Sequence, residues 1–81
     1  TMIGRALQAC RKVLVQRETG DRMVVLVTDG YSWDLSGGND QKVARELADD
    51  GIVVYAIHAA EGEPTAELST IAQGTGGAVF A

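Results

Sequence analysis

Two short runs, Met23-Val24-Val25-Leu26-Val27 and Ile52-Val53-Val54-Tyr55-Ala56-Ile57, restrict this chain more than any other feature. Both are rich in β-branched residues and apolar on both alternating faces. A strand with one wet face alternates polar and apolar residues. A strand apolar on both sides belongs in a parallel sheet, where crossover helices cover each face. The stretches between and around the runs must then supply those helices, with right-handed connections.

The helices are legible in the spacing. Ile3, Leu7, Cys10 and Leu14, with Ala6 and Val13 beside them, mark one face of a helix. It should stop near Arg17, because Glu18-Thr19-Gly20-Asp21 is a turn. A second helix over 41–49 turns Val43, Ala44, Leu47 and Ala48 inward, with Asn39 or Asp40 as its cap and Gly51 as its stop. Asp49 and Asp50 stand at the end of that helix where the dipole disfavours negative charge. Pro64 suits the first turn of a third helix, with Leu68, Ile71 and Ala72 inward and Gly74 at its end. Thr75-Gly76-Gly77 then leads into a last short strand, Ala78-Val79-Phe80. The order is αβαβαβ, with no repeat and no low-complexity segment.

Composition narrows the function classes. The 81 residues are 46% hydrophobic and 22% charged, which is ordinary for one small globular unit and too short for two. No apolar run approaches the length of a membrane span. Thr1-Met2-Ile3-Gly4 lacks the basic start and continuous apolar core of a signal peptide, and helical periodicity is already under way by Ile3. The opening therefore reads as the interior of a longer protein. A single cysteine, Cys10, excludes an internal disulfide, and its place on the helix stripe makes it a small core hydrophobe. Net charge is −4, with five basic and two acidic groups in residues 1–22 and two basic and nine acidic in 23–81. The basic residues Arg5, Arg11, Lys12, Arg17 and Arg22 have no interleaved aromatics, so a solvated helix face explains them better than a nucleic-acid patch.

Ligands of open parallel sheets bind beyond the carboxyl ends of the strands. Asp29, the Tyr31–Asn39 loop and the His58–Glu61 segment lie at that edge. A carboxylate beside an apolar strand end is costly unless it is paired, hydrogen-bonded or bound to a metal. Gly30 permits a sharp turn and a close approach there, although Asp-Gly is also a common turn pair.

Four stretches occur in a telling order: Thr1-x-x-Gly4-x-Ala6-Leu7, Val24-Val25-Leu26-Val27-Thr28-Asp29-Gly30, Gly51-Ile52-Val53-Val54-Tyr55-Ala56-Ile57, and Leu68-x-x-Ile71-Ala72-x-x-Thr75-Gly76-Gly77-x-Val79-Phe80. Together they resemble the C-terminal half of a von Willebrand factor type A domain, over essentially all 81 residues. The resemblance implies a Rossmann-like, doubly wound parallel sheet in three α/β/α layers, present here as an αβαβαβ fragment. It also implies a metal-ion-dependent adhesion site, in which Thr1 and Asp29 match the family's threonine and second aspartate. The Asp-x-Ser-x-Ser motif that completes such a site is not in this sequence and would lie upstream of Thr1.

Carboxylate and hydroxyl oxygens are hard ligands, suited to Mg²⁺, or to Mn²⁺ or Ca²⁺, rather than to a thiolate-seeking metal. In the family, an open position on the ion takes an acidic side chain from a protein partner, and nothing is turned over. The resemblance thus implies a binding module, with no nucleic acid and no membrane contact from this segment. Tyr31 and Trp33, beside Asp29 in a polar loop, are the expected partner-binding anchors. Two rival readings are a subunit of an ATP-dependent machine of the magnesium-chelatase type, and a fragment of a Rossmann-like enzyme using Asp29 as acid or base.

Other candidates carry less. His58 stands alone, without a second histidine or cysteine at useful spacing, and is expected to be structural. Ser32 and Ser36 lack a nucleophile-elbow context, and Gly37-Gly38 lacks the lysine of a phosphate loop. The resemblance also implies that Met23–Val27 has an unpaired edge and an uncovered face in residues 1–81 taken alone.

Overall fold

The computed structural model describes residues 2–17, 20–29, 32–62 and 64–80, with Trp33 described in its backbone only. The elements are α1 (Ile3–Leu14), β1 (Arg22–Thr28), a 3-10 turn (Trp33–Leu35), α2 (Asn39–Asp49), β2 (Ile52–His58), α3 (Ala66–Gly74) and β3 (Val79–Phe80). The three strands form one parallel sheet in the order β1-β2-β3. The β1/β2 register runs from Arg22 opposite Ile52 to Thr28 opposite His58. The α/β class and the element order match the expectation from sequence.

The core lies between one face of this sheet and the helices. Ile3 and Leu7 of α1, Val43, Ala44 and Leu47 of α2, and Ile71 of α3 pack with Ile52 and Val54 of β2. Val24 and Leu26 of β1 close over the same cluster. Each fully buried Leu or Ile contributes roughly 1.5–3 kcal/mol relative to exposure.

The expectation that helices cover both faces is not met within these residues. Met23, Val25 and Val27 are 55%, 57% and 63% exposed, and Ile57 and Phe80 share their side of the sheet. The reason is topological. The strands advance in one direction across the sheet, so successive right-handed crossovers return both connecting helices to the same face.

Several local expectations are corrected. Helix α1 ends at Leu14 rather than near Arg17, because the chain tightens into i→i+3 bonds from Gln16 N–H to the Val13 carbonyl and from Arg17 N–H to the Leu14 carbonyl. Ala6 and Val13 are exposed, and Cys10 is only partly buried, in a shallow groove with Met23 and Val25. Gly38, at φ 86°, is the N-cap of α2 in place of Asn39 or Asp40. The left-handed conformation favours glycine, and it frees the Asn39 side chain to donate to the Asp34 carbonyl at 2.6 Å. Thr65 caps α3, its hydroxyl accepting from Leu68 N–H at 3.3 Å, and Pro64 lies just outside the helix. The Tyr31–Asn39 stretch is not simply a loop: it contains the 3-10 turn and inserts Leu35 into the core.

The charge misfit at the end of α2 is resolved by a tertiary contact. Asp50 is ion-paired with Arg11 of α1, which also reaches Glu46 at 3.0 Å. Arg11 is therefore tied to α2 rather than part of a freely solvated face. The hydrogen bond to Asp50 raises its pKa above the ordinary arginine value; desolvation opposes this, and the charges of Asp50, Glu46 and Asp49 add to it. Arg22 donates to the carbonyls of Arg17 at 2.7 Å and Asp50 at 2.9 Å. One cation thus ties the chain just after α1 to the end of α2.

Thr75 and Gly77 seat α3 and β3 against β2. The buried Thr75 hydroxyl accepts from Val54 N–H at 3.0 Å and lies within donating reach of the Ile71 and Ala72 carbonyls. It replaces a ladder partner for Val54, since β3 pairs only further along β2. A Cβ on Gly77 would stand 1.9 Å from the Val54 carbonyl oxygen. Gly77→Ala is therefore expected to destabilise the fold by about 1–3 kcal/mol or more, measured by chemical denaturation; an unchanged midpoint would contradict this close approach. Residues 1–81 expressed alone should self-associate through the exposed face, and Val25→Lys should shift them toward monomer in size-exclusion chromatography. A monodisperse unsubstituted chain with a sharp thermal transition would show that the face needs no cover.

Candidate functional site

Asp29 follows β1 directly and is exposed at the carboxyl edge of the sheet. Its backbone is held from the neighbouring strand. His58 Nε2 lies 3.2 Å from the Asp29 carbonyl, and Ala59 N–H donates to the Thr28 carbonyl at 2.8 Å. Both contacts follow from the parallel register, which sets His58 beside Thr28. A carbonyl can only accept, so in the neutral ring Nε2 carries the proton and Nδ1 does not. His58 is 5% exposed, and its Nδ1 has no hydrogen-bond partner among the described residues. The structural role expected for His58 fits this geometry: it braces the end of β1.

A second assembly borders this edge. The N-terminus of α1 has Met2 at its cap position, with no side-chain cap of its own. The segment after β1 supplies the missing acceptors. Ile3 N–H donates to Ser32 Oγ at 2.7 Å, Gly4 N–H to Asp34 Oδ1 at 3.0 Å, and Arg5 N–H to Asp34 Oδ2 at 2.9 Å. The Ser32 hydroxyl in turn donates to Asp34 Oδ1. Amides that a helix leaves without intrahelical partners are thereby satisfied from about thirty residues away. Partial burial opposes ionisation of Asp34, but the Ser32 hydroxyl and the backbone N–H groups of Arg5 and Gly4 outweigh it and hold the pKa below the ordinary carboxylate value.

Of the residues singled out from sequence, Asp29 is in the expected place. Thr1, Gly30 and Tyr31 lie outside the described residues, as does the side chain of Trp33. Among the described residues, no group of three or more His, Cys, Asp or Glu comes together to hold a metal ion. What Asp29 offers is an exposed, hard-oxygen carboxylate on a braced backbone, which suits a Mg²⁺-type ion as one ligand of a larger set.

The model of the von Willebrand factor type A domain matches residues 1–81. The chain belongs to the von Willebrand factor type A family. Searches of curated proteins and of solved structures return no match. Type A domains generally mediate protein interactions and are typically not enzymes.

Sequence reasoning missed Ser32 and Asp34 as a working pair. Two signals pointed to them. Helix α1 lacks a Ser, Thr, Asp or Asn at Met2, and a Ser-x-Asp follows the strand end, a pattern whose side chains readily bind backbone amides.

A carboxyl with a depressed pKa in the folded state contributes stability above its unfolded value and loses it as pH falls through the folded value. The stability gap between the unsubstituted protein and Asp34→Asn should therefore be full near neutral pH and close below about pH 4. Urea denaturation at several pH values measures it, and a gap independent of pH would mean that the Asp34 charge is not what holds α1.

Proposed function

We propose that this chain forms part of a protein-recognition module whose contact is a divalent ion at the carboxyl edge of the sheet. Asp29 supplies a carboxylate ligand and Thr1 a hydroxyl ligand, with Mg²⁺ as the ion, or Mn²⁺ or Ca²⁺ in its place. The observation that carries this reading is an exposed aspartate immediately beyond a parallel strand, in a chain of the type A family. The braced Asp29 backbone supports it, because a ligand held still before the ion arrives loses less freedom on binding. Mg²⁺ keeps waters that a ligand can displace. An acidic side chain of a protein partner takes such a position, and Tyr31 and Trp33 contact the partner beside the ion. The module binds without turning anything over.

In the complete protein, Asp29→Ala should abolish Mg²⁺ or Mn²⁺ binding, since it removes a formal charge adjacent to the cation. Isothermal calorimetry measures this, and equal affinity in the two proteins would end the metal reading. Trp33→Ala should weaken partner binding by about 1–3 kcal/mol while leaving metal affinity nearly unchanged. Loss of folding in that variant would instead place Trp33 in the core.

A further inference from the structure

We propose that Asp34, together with Ser32, is a positioning residue that fixes the start of α1 against the segment leaving β1, and so sets the spacing across the recognition edge. The functional part of this inference rests on the metal reading above; the mechanical part does not.

The geometry is unusually complete for a contact between elements so far apart in sequence. Three consecutive amides at the start of α1, those of Ile3, Gly4 and Arg5, all donate to Ser32 or Asp34. Both carboxylate oxygens of Asp34 are used, and the Ser32 hydroxyl links the Ile3 amide to Asp34 by accepting from Ile3 N–H and donating to the carboxylate. The segment carrying the pair is itself anchored. Leu35 is buried in the core, and Asn39 at the start of α2 holds the Asp34 carbonyl at 2.6 Å. Asp34 is therefore not a surface carboxylate that happens to meet a helix end. It joins α1 to a segment tied into both α2 and the core.

Gly4 is the counterpart of this arrangement. A Cβ at Gly4 would meet the Asp34 carboxylate group at 3.1–3.3 Å. A side chain there would press on the one group that holds the amides of residues 4 and 5. Alanine is otherwise the better helix former, so the absence of a Cβ at position 4 favours the close approach of Asp34 rather than the helix itself.

The consequence for recognition follows from placement. Thr1 lies two residues before the first residue of α1, and Asp29 lies three residues before Ser32. Ligands drawn from two separate elements keep a fixed separation only when those elements are joined, and small misplacements of ligands are costly. Ser32 and Asp34 supply that joint and need not touch the ion. They also alternate in sequence with Tyr31 and Trp33, the residues assigned to the partner.

The test uses the complete protein with Asp34→Ala, the milder Ser32→Ala, Gly4→Ala, and the double variant Gly4→Ala/Asp34→Ala. Two measurements are made on each: amide hydrogen exchange at Ile3, Gly4 and Arg5, and Mn²⁺ affinity by calorimetry, with Asp29→Ala as the metal control. Asp34→Ala should accelerate exchange at Gly4 and Arg5 at least tenfold, while protection of β1 and β2 is retained, and should weaken Mn²⁺ binding about tenfold. Ser32→Ala should do the same, mainly at Ile3. Gly4→Ala should loosen these amides in the unsubstituted background but be neutral or raise the melting temperature in the Asp34→Ala background, where nothing remains for the added methyl to displace. Unchanged exchange in Asp34→Ala, or a Gly4→Ala effect of equal size in both backgrounds, overturns the joint. Altered exchange with unaltered Mn²⁺ affinity overturns its role in recognition. If neither the unsubstituted protein nor Asp29→Ala binds Mn²⁺, the metal reading fails, and the exchange measurements still decide whether Asp34 fixes the helix.

Discussion

The in-register parallel pairing of β1 with β2 is the constraint from which the rest of this structure follows. Once Arg22 lies opposite Ile52 and Thr28 opposite His58, the faces of both strands are assigned. Val24, Leu26, Val54 and Ala56 turn toward the helices, and Met23, Val25 and Val27 turn away. A slip of one residue would exchange these sets and put the buried His58 on the open side. The same register brings His58 and Ala59 to the carbonyls of Asp29 and Thr28, so the strand pairing that builds the core also braces the candidate ligand.

The helices are fastened to this frame by a few polar contacts at their ends. Helix α1 receives Ser32 and Asp34 at its start, Arg11 links it to Glu46 and Asp50 of the α2 end, and Arg22 draws the chain after α1 together with the α2 terminus. Ion pairs as exposed as those of Arg11 contribute little each. Their value here is directional, since they fix how α1 crosses α2 over a core made largely of aliphatic side chains. At the other end of the fold, Thr75 and Gly77 do the same for α3 and β3 through one hydroxyl and one close backbone approach.

The open face of Met23, Val25, Val27, Ile57 and Phe80 has a bearing on how a type A fold is put together. Crossovers that advance in one direction cover only one side of a sheet. The three-layer architecture therefore requires helices contributed from elsewhere than the β1–β2 and β2–β3 connections. Among the described residues the helices lie over one face, and the apolar character of the other face is already written in the strands.

The sequence by itself determined the class and order of the elements, because hydrophobic period and turn residues are local quantities. It located Asp29 at a strand end, it placed Leu68, Ile71 and Ala72 inward on α3, and its Thr75-Gly76-Gly77 carried a family resemblance that the close packing on Val54 now explains. Only the tertiary structure decided which polar residues act together. Ser32 and Asp34 lay in a stretch read as a loop, Asp50 looked misplaced, and Gly4 was only one residue of a family-like pattern. Each is accounted for by a group about thirty or more residues distant: α1 amides for the first two, Arg11 for the third, and the Asp34 carboxylate for the fourth. Spacing along a chain reports what one element does with its own neighbours. A cap, an ion pair or a missing Cβ that serves another element becomes visible only when the fold brings the two together.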